Sequence, residues 1–279
     1  MSMRTNTADP GLPTTAAEVN YAVDTGGRGR FDVVEPERTN LRLDATPVRI
    51  ADARPALSDL DLMRDGYTLV DHHSAVTSAD DKQLFETVYL DEMSSLIQRI
   101  TGAREVRPQR STTFVRKNEW TAEGGIGPVR YTHLDYTPLS VESWLKLSEE
   151  DDGPIAPFRR VVIVQAWRAL SESRQESSLA LIDPATMDYD DDTMVFDARF
   201  GPEEFPSCFF ELRLVKSNPA HRWLHFDSMK PDEVLLFQGY DSDKRSGSGV
   251  AHTAFDRPAG TPGLVPRHSV EARFLAFFE

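Results

Sequence analysis

His133, Asp135 and His252 are the residues of this 279-residue chain whose types and spacing suit metal chemistry. The first two stand in Thr132-His133-Leu134-Asp135-Tyr136. The third stands in Val250-Ala251-His252-Thr253-Ala254-Phe255. Two imidazoles and one carboxylate can fill one face of an octahedron and leave the remaining positions open, the donor set that suits non-heme Fe(II). Residues two apart on an extended strand point to the same side. His133 and Asp135 can therefore face one ion while Leu134 packs the other way. His-x-Asp is a short pattern found in many chains, so its meaning depends on the elements that position it.

Those elements read as mainly β with flanking helices. Residues 1–30 are rich in Thr, Pro, Gly and Ala and read as a flexible N-terminal arm, with 31–279 as one domain. Leu57 to Arg64 is a short helix closed by Asp65-Gly66, and Tyr67 to Asp71 a strand. A helix over about 80–101, capped by Ser78 or Asp80, places Phe85, Val88, Tyr89, Met93, Leu96, Ile97 and Ile100 three and four apart and ends at Gly102. That stripe is core packing. Val106 to Arg116 is extended. Lys117 to Arg130, with Gly124, Gly125 and Gly127, is a loop leading into His133. Leu139 to Leu147 is a short helix. Strands are expected at Arg159–Trp167, Leu179–Ile182, Phe209–Lys216, Trp223–Phe226, Glu233–Gln238, Val250–Phe255 and Ser269–Phe278. Many strands with Gly- and Pro-rich connections, and no regular alternation with long helices, favour a jelly roll or barrel with helices outside.

The final strand adds a second chemical feature. Val270, Ala272, Phe274, Ala276 and Phe278 share one face, while Arg267, Ser269, Glu271 and Arg273 share the other. An exposed polar face is one explanation. The other is a polar barrel interior close to His252, in which Arg267-x-Ser269 forms a carboxylate pocket, because a guanidinium can clamp a carboxylate through two parallel hydrogen bonds. The Asp241–Gly249 and Asp256–Pro266 loops flank His252, as expected of a gated pocket on a rigid scaffold. The remaining histidines read as structural: His72 and His73 at a strand end, His268 facing away from Arg267, and His221 and His225 around Trp223, with His225 a rival metal ligand. Asp188 to Asp192 reads as a solvated acidic loop without calcium-loop spacing.

Composition narrows the partners. The net charge is −14, from 45 acidic and 31 basic residues. That disfavours nucleic acid, whose nonspecific binding rests on clustered Lys and Arg, and an anionic membrane surface. The single Cys208 leaves no intrachain disulfide and no Cys-rich zinc site, and reads as a buried small hydrophobe. It fits a reducing compartment. No apolar run reaches membrane-span length and the N-terminus carries no hydrophobic signal region. The expectation is a cytoplasmic protein with a small-molecule substrate, its oligomeric state left open.

Taken in order, several stretches resemble one family. They are Gly66-Tyr67-Thr68-Leu69-Val70, Thr101-Gly102-Ala103, His133-Leu134-Asp135-Tyr136-Thr137-Pro138, Ala166-Trp167-Arg168-Ala169-Leu170 and Leu179-Ala180-Leu181-Ile182-Asp183. They continue through Trp223, Met229, Asp232–Phe237, Tyr240-Asp241-Ser242, His252–Phe255 and Arg267–Arg273. The chain resembles the non-heme iron, 2-oxoglutarate-dependent oxygenases grouped as gibberellin desaturase-like or AsaB-type hydroxylase/desaturases. The resemblance implies a double-stranded β-helix (jelly-roll, cupin-like) core and Fe(II) on His133, Asp135 and His252. It implies 2-oxoglutarate and dioxygen as co-substrates, with the far carboxylate of 2-oxoglutarate on Arg267, or Arg273 in reserve, and Arg168 as a further pocket candidate. Tyr136, Trp167 and Trp223 are candidates for the substrate wall. Gln165 and Ala169 depart from the Asn and Pro expected around Trp167-Arg168.

The implied reaction is oxidation of an unactivated C–H bond, giving an alcohol, an alkene or a ring. The substrate would be a small biosynthetic molecule such as an amino acid or peptide-derived intermediate. Two other classes share the scaffold. A cupin-type metalloenzyme without 2-oxoglutarate would keep the triad but not require Arg267. A noncatalytic small-molecule binding protein would tolerate loss of iron.

Overall fold

The computed structural model describes residues 11–32, 34–76, 82–117, 127–171, 174–199, 209–244 and 247–279. The expectations for Cys208, for the cap at Ser78 or Asp80, and for Gly124 and Gly125 lie outside those residues. Two curled sheets face each other, with helices on the outside of one of them. This is the jelly-roll core expected from the strand pattern.

The smaller sheet has the order Tyr67–Asp71, Glu233–Asp241, Arg160–Ala169, His268–Phe278, Glu105–Pro108, with Phe114–Lys117 also pairing against His268–Phe278. All of its pairings are antiparallel. The unbroken apolar run Val161 to Val164 follows from burial on both faces. Val162, Val164 and Ala166 pack outward with Val270, Ala272, Phe274 and Ala276 against a helix. That helix runs from Lys82 to Thr101 with one wider turn at Phe85–Tyr89. Leu90, Met93, Leu96 and Ile97 form its buried stripe, and Gly102 ends it in the left-handed conformation at φ 70°.

The larger sheet has the order Thr14–Ala22, Leu43–Asp52, Trp223–His225, Ser177–Ile182, His252–Asp256, His133–Leu134, Phe209–Val215, Thr193–Arg199, Gly29–Asp32. Its inner face supplies Leu179, Leu181 and Leu224, which meet Leu69, Trp167, Leu235 and Phe237 from the smaller sheet. The two-residue strand His133–Leu134 sits between Phe209–Val215 and His252–Asp256, with His133 directly opposite His252. Residues facing each other across an antiparallel pair present their side chains on one face. Sheet pairing therefore brings together two histidines more than a hundred residues apart.

The flexible-arm expectation is corrected for much of 1–30. Thr14–Ala22 pairs antiparallel along its whole length with Leu43–Asp52, and Gly29–Asp32 lies parallel to Thr193–Arg199. Ala17, Val19 and Tyr21 alternate toward a core that holds Ile50, Ala180, Ile182 and Trp223. The period-two signal is carried by only three residues among Thr, Ala and Asn, too weak to stand out from composition. The acidic loop expected at Asp188–Asp192 is instead a helical turn, Tyr189–Asp192, and its last carboxylate is buried against His221 and Asn218.

One glycine fixes the approach of the His252 segment. Gly249 adopts φ 98°, and a Cβ there would collide with the carbonyl oxygen of Gly239 on the neighbouring strand. Gly249→Ala combines left-handed strain with that clash and is expected to lower unfolding free energy by about 2 kcal/mol or more. A urea melt with an unchanged midpoint would refute this.

Candidate metal centre

The local backbone sets both imidazoles in the same way. His133 Nδ1 lies 2.9 Å from the Tyr131 carbonyl, and His252 Nδ1 lies 3.0 Å from the Val250 carbonyl. A carbonyl only accepts, so each Nδ1 carries the proton and each Nε2 keeps its lone pair. His133 Nε2 stands 3.6 Å from Asp135 Oδ1, and His252 Nε2 stands 3.7 Å from Asp135 Oδ2. The ring centroids are 4.3 Å apart. One donor atom from each of the three residues lies within 4.8 Å of the others, and this is the trio among the described residues that could hold a metal ion. The donors are two neutral imidazole nitrogens and one carboxylate oxygen, with the opposite nitrogens already tied off. That fits a facial triad for Fe(II).

Asp135 is clamped from behind. Gln165 Nε2 donates to its Oδ2 at 2.6 Å, and an Arg273 terminal nitrogen donates to the same oxygen at 3.1 Å. Arg273 also pairs with Glu271 at 2.7 Å, and Gln165 Nε2 donates to Glu271 Oε1 at 3.1 Å. Burial pushes the Asp135 carboxyl up, but Arg273, His133 and His252 together outweigh it and hold the group below the ordinary carboxylate range. Burial, reinforced by His252, pulls His133 down to about 4. Burial alone would lower Arg273, yet Asp135 and Glu271 raise it further above its already high value. The metal-free centre at neutral pH therefore holds an ionised carboxylate beside a neutral His133.

The polar row expected on the last strand does face the interior. Ser269, Glu271 and Arg273 stand opposite Ala169, Trp167 and Gln165. Arg267 is 3% exposed, donates from Nε to Ser269 Oγ at 3.0 Å, and places its guanidinium 5.4 Å from the Trp167 ring centroid. Burial, then the neighbouring Arg116 charge, pulls Arg267 down to about 9. Trp167 lines a cavity shared with Leu179, Phe226, Met229 and Arg257. Tyr136 is buried beside the triad and donates its hydroxyl to Gln109 Oε1 at 3.0 Å. A Cβ on Gly239 would lie 2.7 Å from both the Tyr136 ring and Gln165 Oε1, so the bulge at Gly239 makes room for them.

Two expected site residues, Arg168 and Trp223, are placed elsewhere, and a third, Arg273, is engaged within the centre itself. Arg168 points to the helix side, donating to the Pro231 carbonyl at 2.9 Å and lying over Tyr89, with His72 Nδ1 at 2.7 Å. Strand alternation requires this once Trp167 faces inward. Trp223 faces away from the triad and donates its indole N–H to Tyr21 Oη at 2.9 Å, in a buried chain that continues to His221 and Asp192. Arg273, the reserve for the co-substrate carboxylate, is committed to Asp135 and Glu271. His225 lies edge-on to Phe255 at 5.5 Å, outside the metal-competent trio. Sequence reasoning missed Gln165 as a support for Asp135, although its departure from the expected Asn marked the position. It also missed Gln109, which accepts from Tyr136 across segments distant in the chain.

Comparison with known proteins identifies the family. Residues 19–277 match the family model of an oxidoreductase/YMDC permease-like domain. The Fe(II)/2-oxoglutarate-dependent dioxygenase nvfI of Aspergillus novofumigatus is 30% identical over 254 residues, spanning 87% of this chain and 88% of its own. The chain belongs to the Fe(II)/2-oxoglutarate-dependent oxygenase family. The hydroxylase/desaturase efuI of Hormonema carpetanum is 29% identical and covers 96% of each chain. A solved iron and alpha-ketoglutarate-dependent endoperoxidase, NvfI, superposes with TM-score 0.81 at 26% identity, covering 95% of this chain and 98% of that one. The expected fold and the Fe(II), 2-oxoglutarate and dioxygen set are those of this oxygenase family. Among the described residues no helix is long and apolar enough to cross a membrane.

Two outcomes follow from the clamp. Gln165→Leu should weaken Fe(II) binding by about tenfold to a hundredfold, as loss of a partner behind a metal ligand does; unchanged iron affinity by anaerobic titration would count against the clamp. In the metal-free protein, the unfolded chain takes up a proton at His133 between about pH 6.5 and about 4 while the folded one does not. Stability should therefore fall by roughly 3 kcal/mol as pH drops through that window. It should fall further at lower pH as Asp135 protonates, because stability from a depressed carboxylate is present only above its unfolded value. Denaturant melts of His133→Asn should lack the upper part of that decline.

Proposed function

We propose that His133 Nε2, His252 Nε2 and Asp135 hold the iron of this oxygenase, and that Arg267 and Ser269 receive the far carboxylate of 2-oxoglutarate. The enzyme then oxidises an unactivated C–H bond of a small biosynthetic substrate, such as an amino acid or a metabolite derived from one. The observation that carries this reading is the convergence of two imidazoles, each with its Nδ1–H held by a carbonyl, on one clamped carboxylate. Iron, 2-oxoglutarate and dioxygen supply the oxidising power when bound, 2-oxoglutarate leaving as succinate and carbon dioxide.

The chain's own residues position and seclude. Gln165 and Arg273 both hold Asp135 Oδ2, so the carboxylate does not rotate away from the imidazoles. Phe237, with its ring 5.0 Å from that of His252, and Leu181, opposite His252 in the sheet, keep the ligand imidazole dry. Trp167 and Tyr136 form walls that restrict the approach of a C–H bond, and a restricted approach is what turns a strong oxidant into a selective one. Names among the relatives, a hydroxylase/desaturase and an endoperoxidase, support a scaffold that serves more than one outcome after hydrogen abstraction.

Anaerobic addition of Fe(II) and 2-oxoglutarate should produce a visible charge-transfer band. It should vanish in His252→Ala, and in Arg267→Ala it should need about tenfold or more 2-oxoglutarate, consistent with loss of a charge-assisted pair. A full band in His252→Ala would overturn the iron assignment; an unshifted titration in Arg267→Ala would overturn the carboxylate assignment.

A further inference from the structure

The strand that carries His252 begins at His252 itself, so the residues before it, Gly247 to Ala251, owe their course to contacts outside the sheet ladder. Those contacts follow one another along the backbone. Ser248 Oγ accepts from the Asp241 amide at 2.9 Å. The peptide group made of the Gly249 carbonyl and the Val250 N–H is held at both ends. Tyr189 Oη donates to the carbonyl at 2.6 Å, and the N–H donates to the Gln238 carbonyl at 2.8 Å. The following peptide group contains the Val250 carbonyl, which accepts from His252 Nδ1. The one after that is held through the Ala251 carbonyl by the Ile182 N–H at 2.8 Å. The group that orients the imidazole therefore lies between two anchored ones, and a side-chain hydroxyl supplies part of the first anchor.

Glycine makes that anchor necessary. A peptide group turns as one rigid plane. With φ 98° and no Cβ, Gly249 can change its ψ at little cost, and such a change swings the Gly249–Val250 plane and the Val250 carbonyl beyond it. The Gln238 bond holds only the N–H end of that plane; the Tyr189 hydroxyl holds the carbonyl end. Tyr189 packs against the cluster that contains Leu134, Ala251 and Trp223, and its side chain occupies the space that a Cβ on Gly247 would need. Burial, then the Asp183 charge, raises its hydroxyl above the ordinary range, so it stays a donor.

The turn that bears Tyr189 is itself fixed. Thr193 Oγ1 donates to the Tyr189 carbonyl at 2.5 Å, and Asp192 Oδ2 accepts from the Asp188 amide at 2.8 Å. Asn218 donates to Asp192 Oδ1 at 2.8 Å, and His221 Nε2 lies 3.0 Å from Asp192 Oδ2. The buried chain of Trp223, Tyr21, His221 and Asp192, which takes no part in the iron centre, thus holds the turn whose hydroxyl reaches the approach to His252.

We propose that Tyr189 is a positioning residue for the second histidine of the centre: its hydroxyl fixes the Gly249–Val250 peptide, and through it the Val250 carbonyl that sets the His252 ring. This rests on His252 being an iron ligand, as proposed above. A ring that is set before the metal arrives does not have to be ordered by it, so the hydroxyl contributes to iron affinity although it contacts no ligand side chain.

The test replaces Tyr189 by Phe, which keeps the ring and removes the hydroxyl. Metal-free protein with isotope-labelled histidine is followed by NMR, and the two imidazole N–H groups, assigned with His133→Asn and His252→Asn, report separately. In Tyr189→Phe the His252 Nδ1–H should exchange with solvent about tenfold faster, while the His133 Nδ1–H, held by the Tyr131 carbonyl, should change by no more than about twofold. Fe(II) alone, titrated anaerobically, should bind about threefold to tenfold more weakly, as expected for one lost hydrogen bond. A merely structural bond, equally present with and without metal, would lower the melting point and leave Fe(II) affinity unchanged; that result overturns the proposal. So does equal acceleration of both N–H groups, an unchanged His252 rate, or a His252 N–H already unprotected in the wild type. If Tyr189→Phe melts early by circular dichroism, the ratio of the two rates within one molecule decides, because global opening enters both. Wild-type Fe(II) affinity in His252→Ala overturns the ligand assignment and this inference with it. Loss of iron in His252→Ala with wild-type affinity in Tyr189→Phe overturns this inference alone.

Discussion

An ionised carboxylate buried beside two imidazoles needs compensation from every side, and that need at Asp135 organises the interior. Removing a carboxylate from water costs several kcal/mol even after the surroundings relax. The compensation comes from Arg273 and Gln165, and Arg273 in turn needs Glu271. Three of these four residues sit on the two central strands of the smaller sheet, so the strands must be polar on the face that looks into the barrel. Around Asp135 the apolar side chains of these strands, Val162, Val164, Ala166, Val270, Ala272 and Phe274, then lie on the outer face. This is why the Lys82–Thr101 helix is indispensable: it covers Val162, Val164, Ala166, Val270, Ala272 and Phe274, which would otherwise face water. The clamp behind one metal ligand and the helix on the far side of the sheet answer the same constraint.

The histidines are positioned by a cheaper device. Each donates its Nδ1 proton to the carbonyl two residues earlier, Tyr131 for His133 and Val250 for His252. The extended backbone supplies that carbonyl without a dedicated side chain, so ring orientation follows from strand geometry. The cost falls on the backbone leading in, where Gly249 must take a left-handed conformation and pass close to Gly239. Gly239 also sits at the bulge that leaves space for Tyr136 and Gln165. Two glycines without chemistry of their own thus admit both the second histidine and the support of the carboxylate.

These relationships differ in how far a sequence can reveal them. The His133–Asp135 spacing and the alternation of Arg267, Ser269, Glu271 and Arg273 with Val270, Ala272 and Phe274 are period-two signals within one strand, and they translate directly into faces. The same rule, applied to Trp167 and Arg168, excludes both from one pocket; the adjacent pair cannot share a face. Trp223 was undecidable by this means, because its neighbours Leu224 and His225 offer no strong polar contrast and the inner position belongs to Leu224. Gln165 and Arg116 were hidden for a different reason. Their partners, Asp135 and Glu271, lie in other segments, and which residue faces which is set by register between segments distant in the chain. The strand at Thr14–Ala22 was hidden by composition, since its stability comes from full-length pairing with Leu43–Asp52 more than from its own apolar residues.

Guanidiniums are buried inside an acidic chain. The whole protein carries −14, while Arg116, Arg267 and Arg273 are buried in the same interior as Asp135 and Glu271. A dianionic co-substrate approaching from solution meets an acidic exterior, but at about 0.1 M salt exposed charges are screened over roughly 10 Å. Buried guanidiniums are screened far less, and their attraction strengthens as water is left behind. The local field therefore decides the outcome inside the barrel.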